Sequence, residues 1–325
     1  MDQIYFFLIV FFSALFSTAF FAFKIIPKLK IAKIVGEDMH KKGKPQVSEM
    51  GGISIVVGFI GAALVGIIMY TFFGFVFELS GILAALLTVA IVAIIGIYDD
   101  LFNISQKVKA ALPLAASVPL IAIAIAAGNN SISIPFFGLI DFGLFYPLLL
   151  IPVAVAVCSN LTNMLAGFNG LEAGLGIVIF AALSILAFLN GQIEMAVLCI
   201  AMLGALIGFI PFNWYPAKLF IGDVGAVSIG AALAAAVIFS NLKSAGAILM
   251  VLFVLDFLIK LLNGFPKTFA ELKDGKLYPK KGEIRGLTDL ILKMFGGLSE
   301  RNLVVVLIGI QIIIAIIVLY MYGKF

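Results

Sequence analysis

Residues Asn160–Gly174 read N-L-T-N-M-L-A-G-F-N-G-L-E-A-G and stand between two long apolar runs, at about 144–162 and 173–190. Where a membrane chain would normally place a short basic loop, this join carries three asparagines, a glutamate and closely spaced glycines, with no lysine or arginine. Asn160 and Asn163 are three apart, so they share a face if they end a helix. The glycines after them let the backbone come close to a ligand. Asn and Gly are also ordinary turn residues, so the stretch gains meaning only from its surroundings.

Those surroundings are apolar. Of 325 residues, 63% are hydrophobic and 12% charged, with a mean hydropathy of +1.23; soluble domains carry about 25% charged residues. The composition specifies an all-α integral membrane protein, because long uncharged runs suit helices and a barrel needs alternating strands. Ten runs are candidate spans, at about 4–23, 51–74, 80–98, 110–128, 144–162, 173–190, 194–212, 225–241, 245–264 and 302–322. The whole chain, 1–325, reads as one polytopic domain. Its first run lacks a basic start and a small-residue cleavage site, so a retained helix is expected rather than a signal peptide. Cys158 and Cys199 fall inside runs, show no metal spacing and are expected to pack. A net charge of +4 gives no reason to expect nucleic acid as a partner.

Ten spans divide the loops into two sets. One set is 24–50, 99–109, 163–172, 213–224 and 265–301. It holds seven lysines in its first loop, two in its second, one in its fourth and eight Lys/Arg in its last. Of the 21 basic residues only Lys243, Lys260 and Lys324 lie elsewhere. The positive-inside rule makes the first set cytoplasmic and turns the N-terminus outward. The same topology brings Asp99, Asp100, Asn160 to Glu172 and Asp223 to one face. A carboxylate at a helix centre costs about 2.5–3.5 kcal/mol on insertion scales, and hydration at the interface relieves that cost. The gathering implies a catalytic or binding face open to the cytosol. That charges collect at helix ends explains the location but not the residue types.

Ile97–Lys109 reads I-Y-D-D-L-F-N-I-S-Q-K-V-K. Adjacent carboxylates on a helix point about 100° apart, so Asp99 and Asp100 are expected to have separate tasks. Lys107 and Lys109 supply point charges suited to phosphate. A phosphate and Mg²⁺ site and a solvated helix cap both fit this stretch. Asn213–Gly225 reads N-W-Y-P-A-K-L-F-I-G-D-V-G. Asp223, held between glycines before an apolar helix, fits an N-cap. It equally fits a Mg²⁺ ligand, since Mg²⁺ takes one or two protein oxygens and leaves its other positions to water and phosphate. Lys41, Lys42 and Lys44 read as a basic anchor before the second span. Asp256 and Lys260, four apart, are expected to neutralise each other. His40, the single histidine, lies in a mobile-looking basic loop and is not expected to act in catalysis. Asn129-Asn130-Ser131 matches a glycosylation sequon on the outer side.

Four motifs in order, V-S-E-M-G-G, Y-D-D-L-F-N with its later lysine, the Asn160–Gly174 stretch and N-W-Y-P-A-K-L-F-I-G-D, span nearly the full chain. Together they resemble the polyprenyl-phosphate N-acetylhexosamine-1-phosphate transferases, glycosyltransferase family 4. Within them the chain is most similar to the eukaryotic and archaeal UDP-GlcNAc:dolichyl-phosphate GlcNAc-1-phosphate transferases. Ala166-Gly167 stands where bacterial members usually have Asp-Gly, and L-I-L-K-M-F-G-G-L-S-E-R-N also fits the dolichyl branch.

The resemblance implies a reaction in which UDP-GlcNAc and a polyprenyl or dolichyl phosphate give GlcNAc-diphosphate-polyprenol and UMP. The implied cofactor is Mg²⁺, with Mn²⁺ an alternative. Carried over position by position, Asn163 and Asp223 would bind the metal and Lys109 the diphosphate. Asp99 and Asp100 would lie beside the lipid phosphate, one of them deprotonating or orienting it. Gly167 and Asn169 would contact the uracil, Glu49 the edge of the nucleotide site, and Asn103 and Asn160 the same cleft. The family's basic, histidine-rich motif in the last loop is here N-G-F-P-K-T-F-A-E-L, without histidine or arginine. Lys267 and Arg285 are the stand-ins, and the donor sugar is therefore the open part, GlcNAc or another UDP-N-acetylhexosamine. The loop lacks the long insertion of eukaryotic members, which points to an archaeal plasma membrane rather than the ER. A homodimer is expected from the family. A transporter or lipid flippase is the competing class, but the polar motifs cluster on one side and show no internal repeat.

Overall fold

The computed structural model describes residues 3–74, 77–134, 137–266 and 270–323. Helices dominate it, because backbone in a bilayer must satisfy its own hydrogen bonds. In order they are α1 (Gln3–Ile31), α2 (Gly52–Phe73), α3 (Leu79–Phe102), α4 (Gln106–Ala116), α5 (Val118–Ala126), α6 (Ile151–Met164, preceded by a π-turn at Tyr146–Leu150), α7 (Leu171–Leu189), α8 (Ile193–Asn213), α9 (Gly222–Ile238), α10 (Lys243–Leu249), α11 (Val251–Leu262), α12 (Leu287–Met294) and α13 (Glu300–Tyr322). Three two-stranded hairpins sit between them: β1 (Val35–Glu37) with β2 (Gln46–Ser48), β3 (Ser131–Ile134) with β4 (Gly138–Asp141), and β5 (Glu271–Lys273) with β6 (Lys276–Tyr278).

Among the described residues, eight helical segments are long and apolar enough to cross a membrane, and nine if α10 and α11 count as one. The count of ten is not confirmed, and the structure departs from the sequence reading at two places. The run expected at 245–264 is the α10–α11 pair, bent by 56°. The run expected at 225–241 is α9, which has only 17 residues. Hydropathy could not distinguish this short central helix from a lipid-facing span, because every residue from Val224 to Ile238 is buried inside the protein.

Glycine explains how α9 becomes the hub. A Cβ on Gly52 of α2 would lie 2.2 Å from Gly225, and one on Gly96 of α3 would lie 2.5 Å from the Val224 Cα. One on Gly230 would lie 2.2 Å from the Cys158 carbonyl of α6. Small residues let apolar helices approach backbone to backbone, and here three neighbours close on α9. The N-terminus of α9 is thereby fixed between the ends of α2, α3 and α6.

The segment before α9 is stitched to the first loop. The Phe220 N–H donates to the Ser48 carbonyl at 2.7 Å, and the Gly51 and Gly52 N–H groups donate to the Phe220 and Ile221 carbonyls at 2.8 and 2.7 Å. At the far end of the bundle, Tyr146 Oη and Asn129 Nδ2 both donate to the Ile238 carbonyl, at 2.8 and 3.1 Å. Asn129 of the sequon is thus tied into the fold. Asp256 and Lys260 form the expected ion pair, at 2.7 Å. Asp256 also accepts from the Leu287 N–H at 2.8 Å and Lys260 donates to the Met164 carbonyl, so the pair joins α11 to α6 and α12.

Candidate active site

A cavity of about 420 Å³ opens where α6, α8 and α9 meet the β1–β2 hairpin. Glu49, Asn163, Gly167, Asn169 and Asp223 line it, so five of the positions expected from the sequence converge. Asp38, Glu172 and Asn213 line it as well.

Two adjacent aspartates of α3 serve the site differently, as their 100° separation predicts. Asp100 accepts from the backbone N–H groups of Asp223 at 2.7 Å and Val224 at 3.0 Å, capping α9 from another helix. Gly222 makes this possible: its φ is +69°, and a Cβ there would come 2.8 Å from the Asp100 carboxylate. Asp99 turns the other way, accepting from the Ile104 N–H at 3.0 Å and pairing with Lys109. Lys109, at the start of α4, also donates to Asp223 at 2.6 Å. One ammonium therefore bridges two carboxylates beside the cavity.

The glycine loop between α6 and α7 also lines the cavity. The Gly167 N–H donates to Glu172 at 3.1 Å and the Asn169 N–H to Glu300 of α13 at 2.8 Å. Asn169 Nδ2 donates to Asp38 at 3.0 Å. His40 stacks on Phe168, with centroids 4.4 Å apart and planes 2° from parallel. The sequence reading of His40 as part of a mobile loop is corrected here: the ring is 5% exposed. Burial pushes its pKa down to about 4, against the opposing pull of Asp38. Glu49 is raised above the ordinary carboxylate range, by burial first and by the Asp223 charge second.

Several expected residues lie outside the cavity lining. Asn103 is the exposed C-cap of α3, in the left-handed conformation at φ +50°. Asn160 donates to the Ala156 and Ala110 carbonyls, at 2.7 and 3.3 Å, and ties α6 to α4. The guanidinium of Arg285 is paired with Glu283 at 2.5 Å. Lys267 lies outside the described residues. Asp38, Glu172, Glu300 and Asn213 were not singled out in the sequence. Glu172, Asn213 and Glu300 stood within quoted stretches without being given a role, and Asp38 comes from a distant segment with no spacing signal.

The donor set fits Mg²⁺. Asp223, Asn163 and Glu49 face one cavity, and Asn213 Oδ1 is a buried oxygen without a hydrogen-bond partner. Among the described residues no three His, Cys, Asp or Glu side chains form a self-sufficient metal cage. A cation that takes few protein oxygens and completes its shell with water and phosphate matches this arrangement.

The profile of glycosyl transferase family 4 matches residues 82–241. A Saccharolobus solfataricus protein is 36% identical over 90% of this chain and 89% of its own length. The chain belongs to glycosyltransferase family 4. That relative carries the provisional name UDP-N-acetylglucosamine–dolichyl-phosphate N-acetylglucosaminephosphotransferase. A Dictyostelium discoideum UDP-N-acetylglucosamine–dolichyl-phosphate N-acetylglucosaminephosphotransferase is 28% identical over 91% of this chain and 84% of its own. A phospho-N-acetylmuramoyl-pentapeptide-transferase from Halalkalibacterium halodurans is 28% identical over 90% of each chain. The segment matched to glycosyltransferase family 4 contains Asp99, Asp100, Lys109, Asn163, Asn169 and Asp223, whereas Asp38, His40, Glu49 and Glu300 lie outside it.

Proposed function

We propose that this protein transfers GlcNAc-1-phosphate from UDP-GlcNAc to a polyprenyl phosphate of the dolichyl type, giving GlcNAc-diphosphate-polyprenol and UMP. The observation that carries the reading is the convergence of Asp223, Asn163 and the glycine loop at one cavity, with Lys109 held on Asp223, in a chain whose relatives, matched over most of their length, are named for this reaction. The product would be the first lipid-linked intermediate of a glycan. An oxygen of the lipid phosphate bonds to the phosphorus that carries the sugar, and the bond from that phosphorus to UMP breaks.

Asn163 and Asp223 would hold Mg²⁺, which when bound offsets the negative charge of the diphosphate. Lys109 would do the same, its ammonium fixed between Asp99 and Asp223. Such a transfer needs mostly positioning and electrostatic stabilisation. Asp100 supplies positioning, because both its oxygens hold the backbone that places Asp223. Asp99 is then the carboxylate assigned beside the acceptor phosphate, and through its ion pair it holds Lys109 for the diphosphate. Beside them Tyr98 and Phe102 are exposed, 52% and 64%, with rings 4.6 Å apart, an apolar flank suited to a lipid tail. The concentration of lysine and arginine in the loops at this end supports a cytoplasmic orientation.

One observation favours a variant of the reading. The similarity to a phospho-N-acetylmuramoyl-pentapeptide-transferase also extends over 90% of the chain, which keeps another UDP-N-acetylhexosamine in play as donor. A panel of UDP-sugars, each given to purified protein with polyprenyl phosphate and Mg²⁺, separates the two. GlcNAc-diphosphate-polyprenol from UDP-GlcNAc is expected. Product from a different donor alone moves the sugar assignment, and no lipid product from any donor overturns the reaction.

A further inference from the structure

The glycine loop is held by acids at positions where a phosphate-binding loop keeps its N–H groups free. Glu172 takes the Gly167 N–H and Glu300 takes the Asn169 N–H. The loop therefore withholds two backbone donors that a phosphate-binding loop would offer. The side chain of Asn169 completes the pattern. An amide has a donor end and an acceptor end, whereas an ionised carboxylate only accepts. Asp38 is ion-paired with Lys41 and receives Asn169 at 3.0 Å. The acceptor-only partner dictates which end of the amide faces it: Nδ2 is committed to Asp38, and Oδ1 is the end left for a ligand. Asp38 and Asn169 are 3% and 4% exposed, so water cannot replace either partner freely.

We propose that Asp38 is a positioning residue that makes Asn169 present an acceptor, so that the cavity selects a base with a ring N–H, uracil, over cytosine. The inference rests on the nucleotide-sugar reading above. The family resemblance implies the base contact at Gly167 and Asn169, which line the same cavity as Asp223, the residue that holds Lys109. Cytosine there would set its bare ring nitrogen against Oδ1, two acceptors facing each other in a poorly hydrated site. A polar group left unmatched in such a site weakens binding by ~10-fold or more.

The test is competition by UMP, CMP and N3-methyl-UMP against labelled UDP-GlcNAc on the purified full chain. The wild type is expected to bind UMP ~10-fold or more tightly than either competitor. In Asp38→Asn the new amide can donate or accept, Asn169 is free to turn, and the UMP-to-CMP ratio should fall toward one. The double variant D38N/N169D reverses the donor and acceptor within the pair but still shows the base an oxygen, and should recover the preference. Equal wild-type affinity for UMP and N3-methyl-UMP overturns the proposal without any variant. So does an unchanged UMP-to-CMP ratio in D38N. A wild type that binds none of the three nucleotides breaks the nucleotide-sugar reading, and this proposal with it.

Discussion

The two ends of the cavity use carboxylates in opposite ways. At Lys109, Asp99 and Asp223 share one ammonium through side-chain contacts, which on the proposed function a substrate phosphate would replace. At the loop end, Glu172, Glu300 and Asp38 hold backbone and amide donors, and nothing in a nucleotide needs to displace them. Buried donors without partners are costly, so the second set is architecture while the first is exchangeable charge. Asp100 belongs with the architecture, although it is adjacent in sequence to Asp99.

The largest effect is expected at Asp223. Asp223→Ala removes the carboxylate that meets both Lys109 and the cavity, and product formation should fall by ~10²–10³-fold, read as initial rate at saturating donor. Retained full turnover would remove Asp223 from the metal role. Lys109→Met comes next. It leaves Asp99 and Asp223 without their shared cation, and uncompensated buried charge costs about 3 kcal/mol. A lower melting temperature in detergent and a raised donor KM are expected together.

Asp100→Ala tests the architectural assignment. Losing a cap on α9 should cost about 1–2 kcal/mol, with the lost activity tracking the lost stability rather than exceeding it. A collapse of activity with unchanged melting would instead place Asp100 at the reacting phosphate. The smallest effect is a pH slope from His40. Unfolded, the imidazole takes a proton near its ordinary ~6.5; folded, only near about 4. The unfolded chain binds more protons between those values, so stability should fall as pH drops through that window. His40→Phe keeps a ring on Phe168 and should flatten the slope, as melting temperature against pH would reveal.

Local pattern made the helices readable and singled out several residues that the fold brings to one cavity. Asp223 between glycines, Lys109 after the aspartate pair and Asn163 at the end of an apolar run each announced themselves by type and place. The acid clamp did not, because Asp38 and Glu300 each lie 131 residues from Asn169 and meet it only through tertiary packing. His40 misled for a related reason: lysines around it signal an exposed loop, and only its stack on Phe168 buries it. The count of ten spans is not confirmed at α9, which is short and enclosed by protein rather than lipid, a distinction that hydropathy does not make.

The most direct measurement of the central claim is UMP release from UDP-GlcNAc by the purified chain, with polyprenyl phosphate and Mg²⁺ each omitted in turn. UMP is expected only when both are present, together with an equal amount of GlcNAc-diphosphate-polyprenol. UMP release that continues without the lipid phosphate, or full turnover in the presence of a chelator, would contradict the claim.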